Sequence, residues 1–436
     1  MSELSQIEGE VHMTAETNVP VPEMSKDAVT AGFLNTDWNP RNIPEGTATT
    51  NVVLRTADKA ATGGTLYQRG AAKTVVCIMH PREFMACHYL IPDLIEAGCA
   101  AWTQSPRSVG NDIKLEHEFA LYDVAAGMAF LKQRGFDNIV LLGNSGGCGL
   151  YALYIQQAGL PMEKRIALTP GGRKTNLAEL AMPQADGLIF VAPHPGQGEL
   201  LMRCIDPSVT DETDPFSSDP TLDPFDPANG YREAPESSSY APEFIARYRQ
   251  AQEQRVQRLD ERARTLVANR IEARKRWKNG GTQLDRRLGA LAPIMTIWRT
   301  DADLRNFDLT LDPSDRHYGS LWGKDPFTSN WGSIGFGRIC SPESWLSTWS
   351  GLSSNAILSK TVTNITVPAL LVEYSGDQAC FPSVVREIYE SLGSGDKRHI
   401  RLRGDHHGRA LSSGEEPGRY EAGRRIGAWL KERNYS

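Results

Sequence analysis

NIVLLGNSGGCGLYALYIQQ, residues 138–157, is the stretch whose reading decides the fold. Its first part, NIVLLGN (138–144), is a short apolar run of the type expected for a strand buried on both faces. From Cys148 to Gln157 the pattern is helical. Between them lies Gly143-Asn144-Ser145-Gly146-Gly147, which matches G-x-S-x-G. A sharp strand-to-helix turn holds its serine in a strained conformation above the sheet edge, and only small flanking residues fit such a turn. The helix that follows points its first amides toward the same spot, where they favour an anion.

The same alternation extends outward in both directions. TVVCIMH (74–80), CAAWTQ (99–104) and GLIFVAPH (187–194) read as further strands. Phe84–Ala97 and Leu115–Arg134 read as helices that stop at Gly98 and Gly135. NVVLRTA (51–57) and TLYQRG (65–70), separated by Gly63-Gly64, suggest an early hairpin. After residue 366 the pattern resumes with strand VPALLVEYSG (367–376), helix Ser383–Leu392, strand RHIRLRG (398–404) and helix Arg419–Arg433. The fold class predicted is α/β, a mostly parallel twisted sheet with helices on both faces.

Residues 196–362 interrupt this order and read as a mainly helical inserted cap domain. The insertion opens with five Asp-Pro steps, at Asp206, Asp214, Asp219, Asp223 and Asp226, which favour turns over helix. A long helix over roughly Ala241–Lys278 follows, with Ile245, Tyr248, Val256, Leu259, Ala263, Leu266 and Ile271 forming an apolar stripe. Acids are interleaved with its basic residues, so its outer side reads as a solvated or subunit-packing face. Trp298, Trp322, Trp331, Trp345 and Trp349 come next, mostly as core. The sheet domain then comprises 49–195 and 363–436. Residues 1–48 are a polar arm punctuated by Pro20, Pro22, Pro40 and Pro44.

Composition narrows the function classes. A formal net charge of −6 over 436 residues lacks the basic surplus that nucleic acid or an anionic membrane attracts. The acidic start shows no secretory signal, and no run approaches the roughly 18 apolar residues that span a bilayer. A cytoplasmic location follows by default. Seven cysteines form no metal-type pairs, and Cys77 and Cys99 fall inside buried runs. The Asp-Pro run lacks the spacing of an EF-hand loop. The arm and the long helix leave room for a homodimer or higher homo-oligomer.

Serine is a poor nucleophile unless a base takes its proton and an acid orients that base. Asp377 follows strand 367–376 directly, and Gly404-Asp405-His406-His407-Gly408 follows strand 398–404. Both partners therefore end strands on the side of Ser145. Glu373 is a competing acid, but it lies within its strand. With this motif and the order Ser, Asp, His, the sequence resembles the α/β-hydrolase superfamily, specifically capped members with a serine nucleophile. The resemblance implies that Ser145 attacks, Asp377 orients and His407 acts as base, with His406 as the alternative. It implies an oxyanion hole from the amides of Gly146 and Arg82, the latter because Pro81 has no N–H to give. His80, Asn144, His194 and Trp298 are candidate pocket residues. The implied activity is hydrolysis of a carboxylic ester or lactone of a hydrophobic small molecule through an acyl-enzyme, with no metal or organic cofactor required. The same triad would also serve carbon–carbon or amide cleavage, and a hydrolase-like protein that only binds a ligand is the reading outside enzymes.

Overall fold

The runs of β-branched and apolar residues form strands wherever neighbouring strands bury both of their faces. The computed structural model describes residues 43–86, 88–109, 112–332 and 335–435. In chain order its strands are β1 (Ala48–Arg55), β2 (Ala61–Gln68), β3 (Thr74–Met79), β4 (Ala100–Ser105), β5 (Asn138–Asn144), β6 (Gly187–Val191), β7 (Met295–Thr296), β8 (Ile339–Cys340), β9 (Ala369–Tyr374) and β10 (Lys397–Leu402). Eight of them make one sheet in the order β1-β2-β4-β3-β5-β6-β9-β10, and β7 pairs with β8 alone. Within the eight-stranded sheet the pairs from β4 onward in that order are parallel and β1–β2 and β2–β4 are antiparallel, as is the separate β7–β8 pair. β3, β6 and β9 are buried at every position. Each Val, Leu or Ile buried there contributes about 1.5–3 kcal/mol relative to an exposed side chain.

The strand order places the reactive end of the sheet. β3 leads to β4 on one side, while β5 leads to β6 on the other. The chain therefore diverges between β3 and β5, and ligands in open α/β sheets bind beyond the carboxyl ends of the strands at such a point. The residues that leave those ends are His80 and Ser145.

Two local expectations are corrected. The hairpin turn lies at residues 56–60, whereas Gly63 and Gly64 sit inside β2 opposite Val53 and Val52. A Cβ on Gly64 would lie 2.5 Å from the Trp102 ring, so these glycines make room for packing rather than for a turn. The first helix covers only Ile91–Glu96, because Pro92 sits in its opening turn, where a residue without an N–H is tolerated.

Between β6 and β9 the chain builds two further apolar clusters. One gathers Leu201, Val256, Leu259, Ala263, Trp345 and Trp349. The other is aromatic and includes Phe225, Tyr240, Phe244, Tyr248 and Phe307. The long helix spans Pro242–Lys278, with Tyr248, Val256, Leu259 and Ala263 buried. Its expected stripe fades toward the end, where Ile271 is 40% exposed. The Asp-Pro steps share one device: the carboxylates of Asp206, Asp214, Asp219, Asp223 and Asp226 each accept the amide two residues on. Proline presets the intervening residue for that turn. This inserted chain also touches the sheet domain, since Gln378 Nε2 donates to the Gly319 carbonyl at 2.6 Å and His317 bonds the Leu411 carbonyl.

Trp345 and Trp349 are fully buried, Trp322 is half-buried, and Trp331 is 40% exposed. Six described cysteines are free and buried. Among the described residues no helix is long and apolar enough to cross a membrane. Most of the polar arm, residues 1–42, lies outside the described residues.

Candidate active site

Ser145 caps the helix Gly146–Gly159 with φ 53° and ψ −119°, a conformation that L-residues rarely adopt. Packing enforces it from both sides. A Cβ on Gly143 would stand 2.6 Å from the Cys148 backbone, and one on Gly147 would stand 2.4 Å from the Met79 carbonyl oxygen. The glycines of the motif thus allow strand, turn and helix to close against β3. The Ser145 amide bonds the Val191 carbonyl, which ties the turn to the end of β6. Asn144 donates its Nδ2 to the same carbonyl.

The structure brings Ser145, His406 and Asp377 together. His406 Nε2 lies 3.0 Å from Ser145 Oγ, and its Nδ1 lies 2.9 and 2.8 Å from the two carboxylate oxygens of Asp377. Asp377 Oδ1 also accepts the amides of Ala379 and Cys380, which fix the carboxylate in the turn after β9. Asp377 and His406 are 1% and 3% exposed. Burial opposes charge on the His406 ring, but the adjacent Asp377 carboxylate outweighs it and raises the histidine's pKa.

His407 does not take the place expected of it. Asp405 Oδ1 accepts the amides of His407 and Arg409, and Gly408 turns at φ 65°. In this tight turn adjacent side chains face different ways, so His406 points at the serine and His407 lies beside it, ring centroids 5.0 Å apart. Burial and the neighbouring His406 lower the His407 pKa to about 4.

Two other expectations are corrected. The Arg82 amide, like that of Glu83, donates to His80 Nδ1 at 3.1 Å, so it is not left over for an oxyanion. Trp298 bonds the Glu212 carbonyl through its indole N–H, beside the Arg255–Glu212 ion pair, and is a structural part of the inserted chain. His80 and His194 are buried close to the triad. His194 Nδ1 accepts the Gly196 amide, and burial followed by the nearby His406 holds its pKa well below the usual histidine value. Burial likewise lowers His88 and His117 to about 4.

Sequence reasoning passed over Gln197 and His117. Gln197 lies three residues beyond His194, at the same edge of the sheet, and that position was the available signal. Asp377, Cys380 and His406 are the group of described residues whose ligand atoms lie close enough to share a metal ion. Asp377 and His406 already engage each other there, and Cys380 Sγ donates to the Ala192 carbonyl. A surface cleft of about 380 Å³ bounded by Arg107, Phe119 and Asp123 shares no residue with the Ser145 cluster.

A mostly parallel sheet with a strained serine after β5, an acid after β9 and a histidine after β10 decides the architecture. The chain has the α/β-hydrolase fold. Solved structures similar to this chain include an esterase of Pyrococcus furiosus, at 12% identity and TM-score 0.42, with 92% of this chain and 97% of that one covered. The esterase domain of a Rhodothermus marinus protein matches at 10% identity and TM-score 0.42, covering 88% and 98%. An α/β hydrolase from a Penicillium species matches at 13% and 0.43, covering 89% and 97%. No protein-family profile and no curated sequence matches the chain.

Proposed function

We propose that this protein hydrolyses carboxylic esters, lactones included, through an acyl-enzyme on Ser145. The observation that carries the reading is the continuous hydrogen-bonded line from Ser145 Oγ through the His406 ring to the Asp377 carboxylate. In the proposed reaction His406 Nε2 takes the hydroxyl proton as Ser145 Oγ bonds to the acyl carbon. Asp377 keeps the other proton on Nδ1 and stabilises the imidazolium. The Gly146 amide, first in its helix and without an intrahelical acceptor, faces the developing oxyanion. His406 then gives its proton to the departing alkoxide. Water, deprotonated by the same ring, attacks the acyl carbon, and the serine leaves with the returned proton. The inserted segment 196–362 serves in this reading as the cap that selects the substrate, because it contacts the turns bearing Asp377 and His406.

A Ser145→Ala variant and a fluorophosphonate probe test the reading together. The probe is expected to label Ser145 in the folded wild type, and the variant to lose turnover of activated esters by several powers of ten. Near-full activity in Ser145→Ala would overturn the mechanism. A panel of aryl esters, lactones, amides and β-diketones separates ester hydrolysis from amide or carbon–carbon cleavage.

A further inference from the structure

The inserted chain ends its long helix in a two-helix hairpin that turns apolar side chains outward. The long helix Pro242–Lys278 passes through Gly280 and Gly281 into the helix Gln283–Ala290, which Thr282 caps. Gly289 is buried against Arg274 of the long helix and marks the inner side of the short one. Leu284, Leu288 and Leu291 are 62%, 41% and 58% exposed, and Ile294 follows at 57%. At about 100° per residue the three leucines share one face, turned away from Gly289, so they form an apolar stripe on the outside of the hairpin.

Charge on the hairpin is the reverse of that on the whole chain. Residues 270–291 hold seven Lys and Arg against two acids, Glu272 and Asp285, a net of +5 in a chain of formal net charge −6. Both acids already hold cations, Glu272 pairing with Lys275 and Asp285 with Arg276. Among the described residues Arg274, Lys278, Arg286 and Arg287 pair with no carboxylate. Arg286 instead lies over the half-exposed Trp277 ring, 5.4 Å from its centroid. From Ala273, its last buried residue, the long helix and its turn run on for about 10 Å at about 1.5 Å per residue, on the order of the screening length at physiological salt. The acidic remainder of the chain is therefore largely screened from a surface that the tip touches.

We propose that the hairpin 270–294 docks the protein on an anionic membrane surface, with Leu284, Leu288 and Leu291 entering the interface and the unpaired cations meeting lipid headgroups. An apolar stripe accompanied by Lys and Arg, with an aromatic ring beside it, is the pattern that lies in the plane of a bilayer surface. Anionic headgroups supply the partners that Arg274, Lys278, Arg286 and Arg287 lack within the chain. A second copy seated on the same face by two-fold symmetry would set this cation cluster against its own equivalent, which the charge disfavours. The net charge of −6 argues against an anionic membrane only because it averages over this local reversal.

Co-sedimentation of the full chain with phosphatidylcholine vesicles, with and without one third phosphatidylserine, tests the proposal. The wild type is expected to partition at least about tenfold better onto the phosphatidylserine vesicles at low salt, and to come off as salt rises. Lys278→Gln combined with Arg287→Gln should weaken that partition by about 25-fold, at about fivefold for each cation removed. Leu284→Ser combined with Leu288→Ser should weaken it by at least about tenfold. All four positions are exposed, and circular dichroism checks that each variant folds; Leu284→Gln alone replaces the serine pair if that pair misfolds. A wild type that stays in solution with the phosphatidylserine vesicles, or one whose binding survives both pairs of substitutions, overturns the proposal. So does a dimer in light scattering that the serine pair dissociates, which would assign the stripe to a second copy. None of these readouts involves Ser145.

Discussion

His406 and His407 are adjacent in sequence and stand with ring planes 77° apart, yet only the His406 ring reaches Ser145, at 3.0 Å. The amides that Asp405 collects set this division of roles. His406→Ala should therefore reduce kcat by about 10⁴-fold or more, in line with loss of a triad member. His407→Ala should stay within about tenfold of wild type. Steady-state kinetics on an aryl ester checks both, and a reversed ranking would reinstate His407 as the base.

In the proposed mechanism the base must be neutral to accept the serine proton, and Asp377 raises the pKa of His406 against the effect of burial. The acidic limb of kcat/KM should consequently lie above the ordinary histidine value of about 6.5, with activity rising as pH increases through it. Asp377→Asn should move that limb to lower pH and cut kcat by about 10⁴-fold. A pH–rate profile from pH 5 to 9 measures both effects.

Stability should have the opposite kind of histidine dependence. Burial lowers His88 and His117 to about 4, so the folded state keeps them neutral while the unfolded chain protonates them near 6.5. Below that value the unfolded state binds more protons, and stability is lost as pH falls from about 6.5 to 4. Each group accounts for on the order of 3 kcal/mol across the window. Thermal denaturation at pH 7.5 and 4.5 should show a marked drop in Tm, and His88→Gln should flatten it.

Gly147→Ala places a methyl 2.4 Å from the Met79 carbonyl oxygen, where backbone rather than a flexible side chain must yield. A loss of about 1–3 kcal/mol in denaturant unfolding is expected, together with reduced activity, because the displaced helix carries the Gly146 amide.

Arg255 is fully buried in the inserted chain, pairs through two nitrogens with Glu212 at 2.7 and 2.8 Å, and donates to the carbonyls of Asp206 and Trp298. Arg255→Ala leaves those acceptors unpaired and should destabilise the protein by about 3–5 kcal/mol. Urea unfolding followed by tryptophan fluorescence measures it.

Short-range pattern decided a good deal in this protein. Strands with both faces buried must be continuously apolar, so β5, β6 and β9 were legible from residues 138–144, 187–191 and 369–374. The serine turn was legible too, since only glycine fits at 143 and 147 once the helix closes on β3. What local pattern cannot encode is direction in space. Whether His406 or His407 faces the serine depends on a four-residue turn organised by one carboxylate. Whether the Arg82 amide is available depends on the His80 ring folding back over it. Gln197 Nε2 lies 3.3 Å from where a Cβ on Gly146 would be because two strands lie side by side, although 51 positions separate those residues in the chain. Tertiary packing alone decides such relations, because side-chain orientation and hydrogen-bond competition are settled only when distant segments share one volume.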